Sequence, residues 1–213
     1  MRRSRNSGRC KRIRNNRNQI NLKEIQDTWA KKAKEEGYRS RASFKLLQIN
    51  KPHKLIENAN MIIELGSAPG GWSQVISKLK KNNAKCYAFD LLPMENVKGI
   101  DFNNLDLFSE EFEEFTENLA TKVDLILSDM SVNLSGIKLI DDESNKELNF
   151  FCLDLSKKIL STKGALIIKT FTNENLKSLK LEFENAFERV FVEKPKASKT
   201  SSAEVYLLGL VPK

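Results

Sequence analysis

The chain has 213 residues, 40% hydrophobic and 30% charged, which is enough apolar content for one folded core and argues against wholesale disorder. No run of about 18 apolar residues occurs, so a membrane-spanning helix is excluded. Cys10, Cys86 and Cys152 form no CxxC and His53 is the single histidine, which disfavours a disulfide scaffold, a zinc ribbon, a histidine-based metal site and a Ser-His-Asp triad, and fits a reducing, cytoplasmic setting. The net charge of +8 is concentrated at one end: residues 1–20 hold Arg2, Arg3, Arg5, Arg9, Arg12, Arg14, Arg17 and Lys11 and no acid. Beyond them the chain carries 28 basic and 28 acidic residues. The sequence therefore divides into a basic arm, residues 1–20, and a formally neutral domain, residues 21–213. An arm this poor in apolar residues cannot bury enough surface to fold alone and suits contact with phosphates. A solubilising tail and an organelle-targeting peptide are the competing uses, although no amphipathic face is visible.

In chain order, residues 21–49 read as helical, with Ile25, Trp29 and Ala33 at helical spacing and Gly37 as a stop. Ser40 is a candidate N-cap for a second helix carrying Phe44 and Leu47, and Pro52 closes that region. Short apolar runs then alternate with helical stretches. Residues 61–65 predict a buried strand, followed by a glycine-rich turn and a helix over 72–79. Strands are predicted at 85–89, 97–102 and 123–127, with a helix over 110–119 between the last two. An amphipathic helix over 148–160 is expected to stop at Gly164, before a strand at 165–168 that ends on Lys169. A helix over 176–187 and strands at 190–193 and 205–210 complete the chain. The polar connection 194–203 is too short for a helical crossover, so the last two strands should be antiparallel.

This alternation predicts an α/β fold with a seven-stranded, mostly parallel sheet, one antiparallel strand and helices on both faces. It is the layout of class I S-adenosylmethionine-dependent methyltransferases. The turn Gly66-Ser67-Ala68-Pro69-Gly70-Gly71 has the spacing G-x-x-x-G-G, which matches neither the dinucleotide fingerprint nor the P-loop. A donor without phosphates, such as S-adenosylmethionine, fits it better, although tight packing alone would also account for the glycines. Asp90 ends the second strand about 20 residues on, where a carboxylate can accept from ribose hydroxyls. Asp106, after the third strand, could accept from an adenine amino group. Each could instead be a solvated cap.

Asp129, Lys169 and Glu204 stand at the ends of strands, where side chains reach the crevice. A lysine there, half out of water and beside a second cation, is a candidate base. The plainer reading is a lysine that snorkels to solvent. Periodicity does not choose between them.

The sequence resembles the FtsJ/RrmJ-type ribosomal RNA 2′-O-ribose methyltransferases, the RlmE family. The matching stretches are Gly37-Tyr38-Arg39-Ser40-Arg41-Ala42-Ser43-Phe44-Lys45-Leu46, Leu65 through Gln74, Asp90-Leu91-Leu92-Pro93-Met94, Ser128-Asp129-Met130, Asn133-Leu134-Ser135-Gly136 and Ser201 through Tyr206, in family order. The resemblance implies a catalytic tetrad of Lys45, Asp129, Lys169 and Glu204, and donor contacts at Gly70, Trp72, Asp90, Asp106 and Asp129. Glu64 stands where aspartate is common, and Val132 where proline is usual. The implied activity is methyl transfer from S-adenosylmethionine to a ribose 2′-hydroxyl, with a uridine of large-subunit (23S) ribosomal RNA as the expected acceptor, no metal, and a monomer acting on ribosomal RNA or the large subunit. Transfer RNA, a messenger cap and a non-catalytic ribosome-assembly role are the alternatives. Deleting residues 1–20 is expected to weaken RNA binding and to flatten its salt dependence; an unchanged slope in filter binding between 50 and 200 mM salt would leave the arm without that role.

Overall fold

A computed structural model describes residues 20–132, 135–199 and 201–213, with side chains from residue 28 onward. The basic arm lies outside the described residues except for Ile20, which opens the first helix, and so do Asn133 and Leu134. The elements run α1 (Ile20–Glu35), α2 (Ala42–His53), α3 (Leu55–Asn58), β1 (Met61–Leu65), α4 (Gly71–Leu79), β2 (Lys85–Asp90) and β3 (Asp101–Asn104). They continue with α5 (Glu110–Glu117), β4 (Val123–Ser128), α6 (Lys138–Ile159), β5 (Leu160–Phe171), α7 (Asn175–Ala186), β6 (Phe187–Glu193) and β7 (Glu204–Pro212).

One seven-stranded sheet has the order β3-β2-β1-β4-β5-β7-β6. The pairs β1–β2, β1–β4, β2–β3 and β4–β5 are parallel. β7 runs antiparallel to both β5 and β6. Parallel strands buried on both faces need near-continuous apolar runs, and β1 is buried at all five positions. Successive side chains point to opposite faces. Ile63, Leu65, Ile126, Leu166 and Ile168 pack towards Phe112, Leu153 and Phe183 of α5, α6 and α7. Ile62, Leu125, Leu127, Ile167, Tyr206 and Leu208 pack towards Leu46, Ile49, Trp72 and Val75 of α2 and α4. Continuing that period of two, positions 64, 129, 169, 204 and 206 all fall on the α2/α4 face, at the carboxyl end of the parallel strands. The strand order reverses between β1 and β4, which is where open α/β sheets leave a ligand crevice.

Several predicted boundaries move. The third strand is 101–104, not 97–102, because Gly99 turns the chain at φ +75° and Val97 is buried as a plug. α6 begins at Lys138, ten residues earlier than the apolar pattern indicates. Its first turns are held by polar pairs, Lys138 Nζ to Asp142 Oδ2 at 2.6 Å and Ser135 N to Asp141 Oδ1 at 2.7 Å, which leave no apolar stripe to read. Gly164 does not close that helix but lies within β5, where a Cβ would stand 2.9 Å from the Ser161 carbonyl. Ser40 is not the N-cap of α2: Arg41 flanks the helix without a side-chain cap, and Pro52 lies inside the last turn. The turn of helix at α3 has no counterpart in the apolar pattern.

A Cβ at Gly209 would enter the ring of Phe187, itself 2% exposed in the core. Gly209→Ala is expected to cost about 1–3 kcal/mol through overpacking of the β6–β7 pair. Urea unfolding checks this; an unchanged midpoint would show that the ring yields freely.

Candidate active site

The chain leaves β1 through Gly66 (φ +73°) and enters α4 through Gly70 (φ +103°), and both conformations favour glycine. A Cβ at Gly66 would stand 2.6 Å from the Met130 side chain and 3.1 Å from its backbone, so the loops after β1 and β4 touch there. Phe89 O accepts from Gly66 N at 2.9 Å and Ser67 N at 3.1 Å, tying the turn to β2. Asp90 completes the tie: Oδ2 accepts from Ala68 N and Oδ1 from Leu92 N, each at 2.8 Å. Asp106 is exposed in the next loop and accepts from Phe108 N at 2.9 Å. Leu91, Leu92 and Phe108, neighbours of these acids in sequence, are large apolar side chains left exposed.

Trp72 is placed differently from the other predicted donor contacts. Its side chain is 2% exposed, its indole N–H donates to Ala42 O at 2.9 Å, and its ring lies 5.7 Å from that of Tyr206. The ring is packing between α4, α2 and β7. What remains for a ligand is the backbone N–H in the first turn of α4.

Glu64 lies beneath the turn, fully buried. Its Oε2 accepts from Ser73 Oγ at 2.5 Å, while Oε1 and the nearby Ser67 Oγ have no hydrogen-bond partner among the described residues. Burial pushes the Glu64 carboxyl up to about 8; the Ser73 hydroxyl opposes this, and the charges of Asp129 and Asp90 add to it. Two carboxylates thus act on a buried carboxyl that has unspent hydrogen-bonding capacity, and a cation close by would favour its ionised form.

The four residues of the expected tetrad come together as two ion pairs. Lys45 Nζ lies 2.7 Å from Glu204 Oε1 and 2.8 Å from Oε2. Lys169 Nζ lies 3.3 Å from Asp129 Oδ1 and also donates to the Asp129 carbonyl. All four side chains are less than one-fifth exposed. Lys169 lies where one ladder stops and the other goes on. Parallel pairing with β4 reaches as far as Ile168, and antiparallel pairing with β7 sets Lys169 opposite Tyr206. Burial raises the Glu204 carboxyl, but the charge and hydrogen bond of Lys45, the Ser198 hydroxyl at 2.8 Å and the charge of Lys169 outweigh it and hold the group below its ordinary range.

Tyr206 is a residue of this site that the reading of charges overlooked. Its hydroxyl donates to Asp129 Oδ1 at 2.8 Å, and Lys45 Nζ stands 5.9 Å from its ring centroid, so it touches both pairs. Burial, then the charges of Asp129 and Glu204, push the phenol well above its usual value, so it stays a donor. The available signal was its position two residues after Glu204, on the same strand face. Among the described residues, no group of three or more His, Cys, Asp or Glu is placed to hold a metal ion, and no helix is long and apolar enough to cross a membrane.

The sheet order, the antiparallel β7 and a glycine turn at the β1/β4 switch point define a class I methyltransferase fold. The sequence profile of the FtsJ-like methyltransferase family matches residues 38–211, and the chain belongs to that family. It is 36% identical over 187 residues to the ribosomal RNA large subunit methyltransferase E of Marinobacter nauticus, covering 87% of this chain and 90% of that protein. It is 38% identical over 189 residues to the protein of the same name from Azoarcus, covering 87% and 92%. Among solved structures, it resembles one described as a ribosomal RNA methyltransferase from Plasmodium falciparum, with a TM-score of 0.69, 26% identity and coverage of 82% of this chain and 98% of that one.

The buried Glu64 carboxyl ties stability to pH. A carboxyl that stays protonated up to about 8 in the fold, against an ordinary 4.5, binds a proton that the unfolded chain releases. Its contribution is full below about 4.5 and is lost as pH rises towards about 8. Urea unfolding of the ligand-free protein from pH 5 to 9 should show this decline, and Glu64→Gln should remove it. Equal slopes in both proteins would contradict the burial of an uncompensated carboxyl.

Proposed function

We propose that the protein transfers a methyl group from S-adenosylmethionine to a ribose 2′-hydroxyl of large-subunit ribosomal RNA. The observation that carries this reading is the pairing of Lys169 with Asp129 beside Lys45 with Glu204, joined through Tyr206. Residues 21–213 act as the methyltransferase domain and residues 1–20 as a phosphate-binding arm, in a monomer working in the cytoplasm.

The donor supplies an activated methyl group on a sulfonium sulfur. The residues present fit such a cation. Glu64 Oε1 and Ser67 Oγ are buried and have no hydrogen-bond partner among the described residues, which suits them to the polar amino-acid end. The N–H of Trp72 lies in the first turn of α4, where partial positive charge suits a carboxylate, and Gly70, whose own N–H is given to Ser67 O at 2.7 Å, turns the chain so that this helix start faces the donor. Asp90 would take ribose hydroxyls, Asp106 the adenine amino group, and the exposed Leu91, Leu92 and Phe108 the flat ring.

A ribose hydroxyl is a weak acid and must lose its proton as its oxygen attacks. Lys169 in its neutral form has two N–H bonds and one lone pair. Its nitrogen donates to the Asp129 carbonyl and lies 3.3 Å from the Asp129 carboxylate, contacts that would hold it in place while the lone pair takes the incoming proton. Asp129 then stabilises the ammonium that forms. Tyr206 fixes the carboxylate by donating to Oδ1, the oxygen that faces Lys169. Lys45 and Glu204 compensate each other's charge and present a hydrogen-bonding platform for the nucleotide. Holding the hydroxyl against Lys169 in one orientation removes much of the entropic barrier.

Lys169→Ala is expected to lower single-turnover methyl transfer by about 10²–10⁴-fold while donor affinity, measured by calorimetry, stays nearly unchanged. Near-normal turnover would remove Lys169 from the role of base.

A further inference from the structure

Arg39 lies in the link between α1 and α2, away from both ion pairs, yet it binds three main-chain carbonyls in two other segments. Nη1 donates to Pro69 O at 3.1 Å and to Glu95 O at 2.8 Å, and Nη2 donates to Asn96 O at 3.1 Å. Pro69 belongs to the glycine turn, and Glu95 and Asn96 to the loop that follows Asp90, Leu91 and Leu92. A Cβ on Gly70 would stand 2.5 Å from Nη1 and 2.9 Å from Met94 Sδ, so guanidinium and thioether rest directly on the turn. The main chain of the same link is fastened to α4: Arg39 N donates to Gln74 Oε1 at 2.8 Å, and Gln74 Nε2 donates to Gly37 O at 3.0 Å. Four residues after Arg39, at the second position of α2, Ser43 Oγ donates to Gly71 O at 2.8 Å. The next residue but one is Lys45.

We propose that Arg39 is a positioning residue, a clasp that sets the glycine turn, the loop 91–97 and the start of α2 in one fixed arrangement, and so shapes the donor cleft. The assignment rests on the donor reading given above. The chemistry requires arginine. A guanidinium is planar, always charged and carries five donors in a fixed fork, whereas an ammonium is a single point that cannot span three carbonyls on two segments. Its ion pair with Glu95 is not the source of the effect. That contact is 3.6 Å long, and the Glu95 side chain is 92% exposed, where such pairs contribute little. The carbonyls meet a side chain only 21% exposed, where charge-assisted hydrogen bonds hold better.

The test is calorimetric titration of the full-length protein with S-adenosylhomocysteine, which reads affinity without activity. Arg39→Gln is expected to weaken binding by about tenfold or more, the equivalent of one charge-assisted hydrogen bond. Arg39→Lys should remain at least about threefold weaker than wild type, since charge without the fork does not restore the clasp. Glu95→Gln should bind like wild type. A control for general destabilisation is Lys81→Ala, which removes a lysine bonded to Asn58 O at 2.8 Å at the opposite end of the sheet and should leave affinity unchanged. In steady state, Arg39→Gln should raise KM for the donor while kcat at saturating donor stays within about threefold. Wild-type affinity in both Arg39 variants, or an equal loss in Lys81→Ala, would overturn the clasp. Wild-type protein that takes up no donor would overturn the donor reading and the clasp together.

Discussion

Lys169 sits where a parallel ladder ends and an antiparallel one continues, and the candidate active site depends on that junction. A lysine at the last position of a purely parallel strand would be free to swing into solvent. Here β7 continues alongside β5 beyond Ile168, sets Tyr206 opposite Lys169 and brings Glu204 to the same face. From the other side, β4 delivers Asp129 one residue past its last paired position. The period of two along each strand then does the sorting: apolar side chains below, charged ones at the rim, all on the face that α2 and α4 cover. Reversing β7 is thus what assembles the site, because a parallel last strand would send its first residues to the far end of the sheet.

Such an arrangement costs stability. Each ion taken from water loses several kcal/mol of hydration, and pairing offsets that only when geometry and further hydrogen bonds are good. Both pairs meet the condition. The Glu204 carboxylate accepts from Lys45 and Ser198; the Asp129 carboxylate accepts from Tyr206 and lies 3.3 Å from Lys169 Nζ, which donates to the Asp129 carbonyl. Ser198 reaches Glu204 because Ala197 is buried against Ala33 and Phe44, so the β6–β7 loop is docked on α1 and α2 by a small apolar cluster. Glu64 is the exception: a carboxyl with one oxygen unpaired is a residual cost left in the fold, of the kind that a cationic ligand relieves.

Much of this was legible from residue order. The apolar runs at 61–65 and 123–127 mark strands because both faces of the sheet are covered. The run around Val97 misleads because burial there serves a turn, at Gly99, and not a strand. The first half of α6 is hidden because neighbouring charges hold it up, without an apolar face. Trp72, in a stretch that matches the family's cofactor motif, turns out to support the motif from beneath. The pairing of Lys45 with Glu204 spans 159 positions and no periodicity announces it; it became visible through resemblance to a family. Tyr206 escaped a reading that looked only for charges, although its spacing from Glu204 already placed it on the right face.

The central claim is that this constellation methylates a sugar oxygen of RNA. The most direct measurement incubates the purified protein with radiolabelled S-adenosylmethionine and large ribosomal subunits lacking their methyl marks, then hydrolyses the RNA in alkali. A methylated 2′-oxygen cannot attack the adjacent phosphate, so the account predicts label in alkali-resistant dinucleotides, and none when Lys169 is replaced by alanine. Label released wholly as mononucleotides would place the methyl group on a base and contradict the account.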